Sequence, residues 1–117
     1  MHNFRSLEVW QKAMELTTLY YKCSQAFPKE ELFGLTSQSR RSLISIASNI
    51  AEGAGRNSDK QFAHFLAIAL GSAFEFETQL QIAFNLNYLD ESMYTTIIEK
   101  SRHIQNMLKK LINNYNK

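Results

Sequence analysis

The sequence predicts an all-α protein, an antiparallel up-down bundle of four helices. Only one Pro and four Gly occur in 117 residues, so long stretches can stay helical without a break. Almost no stretch alternates apolar and polar residues, as a half-buried strand would. Apolar residues recur instead at steps of three and four, which aligns them along one side of a helix. The length suits one domain over residues 1–117 and is too short for two well-packed ones.

The first two helices are predicted from Ser6 to Phe27 and from Leu35 to Glu52. Pro28 ends the first, because proline lacks the amide hydrogen that a helix needs. The second is rich in small residues, so it can pack closely, and the glycines at 53 and 55 are expected to stop it. The first stripe contains Val9, Ala13, Leu16, Tyr20, Cys23 and Phe27; the second contains Leu35, Ser39, Ser42, Ile46, Asn49 and Gly53.

The third and fourth helices are predicted from Ser58 to Leu86 and from Asp90 to Asn114. Ser58 followed by Gln61 forms a capping-box pattern, and Asp90 is placed to cap the fourth helix. Short links between the later segments favour antiparallel neighbours at shallow crossing angles. The third stripe contains Phe62, Leu66, Ala69, Ala73, Phe76, Leu80 and Ala83; the fourth contains Tyr94, Ile97, Ser101, Ile104, Leu108, Leu111 and Tyr115.

Apolar residues of the third helix extend beyond its stripe. Its one consistently polar line is too narrow for a normally solvated face. Association with other subunits is the simplest cover for the excess. Alternatively, the third helix lies centrally and the first helix wraps over it with Trp10 and Tyr21. The candidate residues of a subunit interface are Phe65, Phe74 and Phe84.

Sequence motifs of catalysis, cofactor binding and metal binding are missing. Gly53-Ala-Gly55 lacks the third glycine of a dinucleotide fingerprint and follows a helix where that motif needs a strand. The histidines are scattered, and the pair of Glu99 and His103 is too small a set to hold a metal. Cys23 falls on the predicted buried stripe. We therefore expect no enzymatic activity, no cofactor and no metal.

Charge and hydropathy give two further expectations. The formal net charge of +2 is too small to indicate a nucleic-acid-binding protein, so an electrostatic function would depend on where the charges lie. No apolar run approaches the roughly 20 residues that cross a bilayer, and the N-terminal residues do not resemble a secretory signal. A cytoplasmic protein that does not enter the membrane is expected.

The basic residues form the candidate nucleic-acid surface. Two arginines occur in a helix whose only other charge is Glu52, and the chain after Glu99 carries five lysines and arginines without an acid. Such groups suit phosphates. Two other readings stay open: basic side chains near a helix C-terminus favour its dipole, and the paired arginines would equally serve a salt bridge to another subunit. The candidate residues are Arg40, Arg41, Arg56, Lys109 and Lys110.

Several segments together resemble the bacterial four-helix bundle proteins encoded in intervening sequences of large-subunit ribosomal RNA genes. The similarity runs in order from about Phe4 to Tyr88, and the last helix matches in pattern only. The segments are Val9-Trp-Gln-Lys-Ala13, Phe27-Pro-Lys-Glu-Glu31, Gly34-Leu-Thr-Ser-Gln-Ser-Arg-Arg41, Ser48-Asn-Ile-Ala-Glu-Gly53 and Phe65-Leu-Ala-Ile-Ala-Leu-Gly-Ser72.

This resemblance implies a ring-like homopentamer without catalytic activity and with a role that involves structured RNA. It extends to the accessory variability proteins of diversity-generating retroelements, similar pentamers that bind nucleic acid and a reverse transcriptase. Two functions follow as hypotheses. One is an oligomeric module that binds RNA or another nucleic acid through basic patches; the other is a scaffold or accessory subunit that holds a partner protein such as a reverse transcriptase.

Overall fold

A computed structural model describes residues 1–117 as four α-helices without a strand. Two short 3₁₀ turns, Phe4–Ser6 and Lys29–Glu31, precede the first and second helices. The molecule measures 43 × 23 × 20 Å, the shape of an elongated bundle. The predicted all-α class is confirmed. The helices are α1 Glu8–Ser24, α2 Leu35–Ala54, α3 Asp59–Asn85 and α4 Glu91–Tyr115.

Cross-helix pairs show that successive helices run antiparallel. As residue numbers rise along one helix, the numbers of their partners on the next helix fall. α1 and α4 also touch, which closes the bundle so that each helix contacts two neighbours, and α2 and α3 pack most extensively. The pairs are Ser42 with Gln79 and Ser45 with Ser72 between α2 and α3, and Phe84 with Tyr94 and Phe62 with Tyr115 between α3 and α4.

A single core of 22 buried apolar residues joins the four helices, and the predicted stripe of α3 is buried over its whole length. Tyr20 lies in this core, where its ring centroid is 4.9 Å from that of Phe76 and the two rings meet edge to face. Its hydroxyl donates to Ser39 Oγ at 2.8 Å, which satisfies the polar group inside the core. Burial raises the pKa of Tyr20 to about 12.

The predicted cap residues are confirmed. Ser58 Oγ accepts the backbone N–H of Gln61 at 3.1 Å, although the reciprocal bond of a full capping box is not formed. Asp90 Oδ1 accepts the N–H of Met93 at 2.8 Å. These bonds satisfy amides that have no partner inside the helix. Asn87 adopts a left-handed backbone, φ 63°, in the turn between α3 and α4.

The second helix differs from its prediction. It continues through Gly53, and Gly55 is its C-cap. Gly53 is buried against α3, where a Cβ atom would lie 2.7 Å from Cβ of Phe65. This glycine permits close packing and does not stop the helix. Four of the six residues of the predicted stripe, Ser39, Ser42, Ile46 and Gly53, are buried, whereas Leu35 and Asn49 are half exposed. The buried face also includes Leu43 and Ile50, which the stripe missed.

The ends of α1 also differ, because the helix begins at Glu8 and ends at Ser24, inside the predicted limits. Cys23 on its last turn is half-buried and packs at the edge of the core. None of the four helices combines the length and the apolar character needed to span a membrane.

Candidate nucleic-acid interface

The first of the predicted basic residues, Arg40, joins α2 to α1. Its Nε donates to Ser24 Oγ at 2.8 Å and its Nη2 donates to the backbone carbonyl of Tyr21 at 3.2 Å. The guanidinium also lies over the Tyr21 ring, 4.5 Å from its centroid. Because these contacts occupy several donors, Arg40 contributes to helix packing as well as to surface charge.

Arg41, the next residue, points to the other side of α2. It lines a cleft of about 330 Å³ between α2 and α3 that contains no apolar residue, with Glu75 on the opposite wall. Neither side chain has an ion-pair partner within 4.0 Å. Two serines that line the cleft form a hydrogen bond, with Ser45 Oγ 2.8 Å from Ser72 Oγ. The paired arginines of the sequence therefore face different surroundings.

Arg56 lies in the turn between α2 and α3, at the opposite end of α2. Its guanidinium carbon is 4.7 Å from the centroid of the Phe65 ring, and its Nη2 is 3.4 Å from Glu52 Oε2. Fifteen residues separate it from Arg41, which at 1.5 Å per helical residue corresponds to roughly 20 Å. One extended phosphate chain would have to follow the bundle axis to reach both.

The two lysines lie on α4. Lys109 Nζ is 5.7 Å from the centroid of the Phe74 ring on α3, whereas Lys110 is exposed one position further round the helix. Neither forms an ion pair with a carboxylate within 4.0 Å. Arg102, two turns earlier, pairs instead with Glu77 at 3.2 Å, and this hydrogen bond, followed by one from Gln105, lowers the pKa of Glu77.

The five predicted residues thus occupy separate places on one subunit and do not form a single patch. A shared feature was not visible in the sequence. Arg40, Arg56 and Lys109 each lie over an aromatic ring, and those rings belong to other helical segments. Sequence spacing cannot reveal such pairs because they form between helices.

The three predicted subunit-interface residues differ in exposure and in the groups that they contact. Phe74 is 45% exposed, and Ile68 and Ile82 on the same outer side of α3 are 41% and 44% exposed. Phe84, in contrast, stacks on Tyr94 within the subunit with ring centroids 4.3 Å apart. Phe65 is half-buried beneath Arg56. Phe74 is therefore the member of the predicted set that is most accessible to another subunit.

The outer side of α3 is not covered by α1. Trp10 packs its ring on Phe4, with centroids 5.1 Å apart. The backbone of α1 lies beside α2 and α4, and α1 meets α3 inside the core, where Tyr20 contacts Phe76. Gly71, in the middle of the exposed side, has no atom within 4 Å of where a Cβ would lie. The structure therefore contradicts the alternative in which α3 lies centrally and α1 wraps over it.

A second apolar group lies where α2 begins and α3 ends, and it was not singled out in the sequence. Phe33 is 92% exposed, and Leu32 and Leu86 are 50% and 51% exposed. A hydrogen bond of 2.9 Å from the Tyr88 hydroxyl to Glu31 Oε2 joins the two connections at this end. The only sequence signal was an apolar pair, Leu32-Phe33, outside any helical stripe. We call Leu32, Phe33 and Leu86 the end patch.

Acidic, histidine and cysteine side chains are dispersed over the bundle. No three of them lie close enough together to form a metal site. A narrow groove between α1 and α4, about 230 Å³, has Leu16 and Ile104 in its lining together with two lysines, two glutamates and His103. Opposite charges are mixed there, so the groove has no preference for an anion over a cation.

The fold and surface define a small four-helix bundle protein with an exposed apolar helix side and dispersed cationic groups. The chain belongs to the family of 23S rRNA-intervening sequence proteins, whose model matches residues 5–110. This confirms the family indicated by the sequence segments.

A solved relative has the same fold. It is a crystal structure of a protein with unknown function from the S23 ribosomal protein family of Bacteroides thetaiotaomicron VPI-5482, 28% identical with a TM-score of 0.82. The match covers 90% of this chain and 95% of that one. Among curated proteins, none matches the sequence.

Proposed function

We propose that this protein is a non-enzymatic, cytoplasmic homo-oligomer that binds RNA or another nucleic acid through basic groups repeated on each subunit. A pentamer is favoured by the resemblance of its sequence segments to ring-forming bundles. The family takes its name from intervening sequences of 23S rRNA, which makes structured RNA the first candidate ligand. The observation that carries the proposal is that four of the five candidate cations have no carboxylate partner.

The outer side of α3 supports the oligomer. Between Lys60 and Asn85 this helix has only two formal charges, and one of them, Glu77, is turned toward α4 and paired with Arg102. Exposed apolar side chains on a nearly uncharged helix side usually mark a subunit contact. Glu75, which is exposed and has no ion-pair partner, borders this side and can form a salt bridge with a second copy.

Replacing Phe74 with lysine tests this surface. A charge placed in a subunit contact must be desolvated without a partner, so Phe74→Lys should convert the oligomer to monomers or to insoluble protein. Light scattering after size exclusion measures the mass in solution. Thr95→Lys, on the exposed side of α4, is the control and should keep the wild-type mass. A monomeric wild type at micromolar concentration would refute the oligomer.

Multiplicity can compensate for the small charge of one subunit. In a ring every unpaired cation recurs on each subunit, so a formal charge of +2 per chain can become a dense basic surface. Binding of phosphates would release counterions, so the logarithm of affinity should fall linearly with the logarithm of salt concentration. The slope then counts the phosphate contacts.

A filter-binding series across salt concentrations tests the nucleic-acid function. The double variant Arg41→Gln and Lys110→Gln should flatten the slope, because both cations are exposed and lack an ion-pair partner. Lys12→Gln is the control, since Lys12 is already paired with Glu15 at 3.7 Å. Arg40 is left intact because of its bonds to α1. Absence of RNA binding at low salt would reject the function.

The end patch favours the second candidate function, a scaffold or accessory subunit that holds a partner protein such as a reverse transcriptase. An aromatic ring that is 92% exposed makes almost no contribution to the fold of its own chain and suits an apolar pocket of a partner. Phe33→Ser should leave unfolding unchanged. If a stoichiometric protein copurifies with the wild type and not with this variant, while RNA binding is absent, the scaffold reading replaces the first.

A further inference from the structure

A pocket of about 520 Å³ opens at the beginning of α3, and its lining is suited to an anion with an apolar group attached. The lining residues are Arg56, Ser58, Lys60, Gln61, His64 and Phe65. They include two permanent cations, three further side chains able to donate hydrogen bonds, one aromatic ring and no carboxylate. The cleft at Arg41 contains Glu75, and the groove beside Phe74 contains Glu77, so neither offers an anion the same surroundings.

The two carboxylates nearest to the pocket do not block an anion: one points away from it, and the other forms an ion pair that an anion can displace. Asp59 Oδ1 lies 3.8 Å from His2 Nε2, beside the N-terminal residues. Glu52 pairs with Arg56 at 3.4 Å, but the two side chains are 50% and 44% exposed, and such a solvated pair is weak. Lys60 has no partner. A phosphate can therefore meet Lys60 directly and compete with Glu52 for the guanidinium of Arg56.

Two rings of the pocket could contact the base of a nucleotide. The Phe65 ring contacts the Arg56 guanidinium, 4.7 Å from its centroid. It also meets the imidazole of His64 with centroids 5.6 Å apart and planes inclined at 76°. Planar cations and aromatic rings are the groups on which unpaired bases stack. Cations for a phosphate and planar faces for a base thus line one pocket.

We propose that this pocket binds one unpaired nucleotide of a single-stranded nucleic acid, with its phosphate at Arg56 and Lys60 and its base against Phe65 and His64. The inference rests on the proposed nucleic-acid binding and narrows the ligand to unpaired strands. In a duplex the bases remain stacked on each other and cannot present their faces to the protein. Each subunit of an oligomer would supply one such pocket along a strand.

Fluorescence anisotropy with labelled oligouridylate and a labelled blunt-ended RNA duplex of equal length tests the proposal. Lys60→Gln should weaken single-strand binding and flatten the salt slope by about 0.7, the value for one phosphate contact on a single strand. Phe65→Leu keeps the Cβ atom that packs on Gly53 but loses the ring. It should weaken single-strand binding about fivefold or more at unchanged slope, because stacking releases no counterion.

Lys22→Gln is the matched control, because Lys22 is an exposed, unpaired lysine at the other end of the bundle. Its single-strand affinity should stay above that of Lys60→Gln. Circular dichroism and light scattering confirm that each variant is folded and assembled. Titration of uridine monophosphate, followed through the NMR signals of His64 and Phe65, checks the pocket directly and should shift both.

The outcomes separate the pocket from the general function. If oligouridylate binds but Lys60→Gln and Phe65→Leu bind like the wild type, the pocket is overturned while nucleic-acid binding stands. Equal losses on the duplex and on the single strand would overturn the preference for unpaired nucleotides. If the wild type binds neither probe at low salt, the proposed function fails as well.

Discussion

Replacing Gly53 with alanine tests how closely α2 and α3 approach. The new Cβ would lie 2.7 Å from Cβ of Phe65 and 3.0 Å from Cδ1 of Phe62, whereas carbon atoms are normally about 3.5–4.0 Å apart. Cβ of Phe65 is fixed by the backbone of α3 and cannot move by rotation. The two helices must therefore separate by several tenths of an ångström at their most extensive contact.

The change in the free energy of unfolding caused by Gly53→Ala follows from two opposing effects. Overpacking a closely packed contact costs about 1–3 kcal/mol. Alanine improves helix propensity over glycine by at most about 1 kcal/mol, and by less here because Gly53 is the penultimate residue of α2. We expect a net loss of about 1–2 kcal/mol in the free energy of unfolding. For 117 residues, an unfolding entropy of about 2.1 cal/mol/K per residue converts this to a melting temperature lower by roughly 4–8 °C.

Thermal and urea unfolding followed by far-UV circular dichroism measure the change, at one fixed protein concentration because oligomerisation shifts the apparent stability. Gly55→Ala is the control. Its Cβ would be 3.6 Å from the nearest atom, and its φ of −81° suits any residue, so stability should change by less than about 0.5 kcal/mol. If Gly53→Ala is as stable as Gly55→Ala, the close-packing argument is wrong.

Two further predictions concern buried and paired groups. Tyr20→Phe should lower the free energy of unfolding by about 1 kcal/mol, because the hydroxyl bonds Ser39 inside the core, and urea titration measures this. Because the pKa of Tyr20 is raised from 10.0 to about 12, the contribution of its protonated hydroxyl to the free energy of unfolding is complete below pH 10 and is lost as pH rises toward about 12. The wild type should therefore lose more stability than Tyr20→Phe between these pH values, and an equal loss would contradict the assignment. Arg102→Gln should raise the pKa of Glu77 toward its ordinary value, since the Arg102 hydrogen bond is the largest cause of its lowering, and an unchanged carboxyl titration by NMR would show that Gln105 suffices.

The helices were predictable because their signals are local. The stripe of α3 from Phe62 to Ala83 is entirely buried, and Ser58 and Asp90 cap the helices they precede. The errors have a common cause. Gly53 signals a helix stop when read locally, yet its role is set by Phe65 on another helix. The predicted stripe of α2 was incomplete for the same reason. It missed the buried Leu43 and Ile50, because the neighbouring helices decide how far around α2 the buried face extends.

The candidate sites depended even more on tertiary structure. Arg40 and Arg41 are adjacent in sequence, but consecutive residues point about 100° apart on a helix, so one bonds α1 and the other borders α3. The sequence placed Phe84 in a subunit interface, whereas the structure shows its ring stacked on Tyr94 of the same subunit. The pocket of Arg56, Lys60 and Phe65 requires the turn between α2 and α3 to bring its walls together.

The sequence by itself determined the all-α class, the number of helices, the N-caps of α3 and α4, and the family, because periodicity, capping and short motifs are properties of neighbouring residues. Tertiary structure alone decided which apolar residues remain exposed and which cations remain unpaired. It also decided which cations meet an aromatic ring. Those properties depend on distances between helices, and the energy of a charge or a ring is set by the groups that surround it in space.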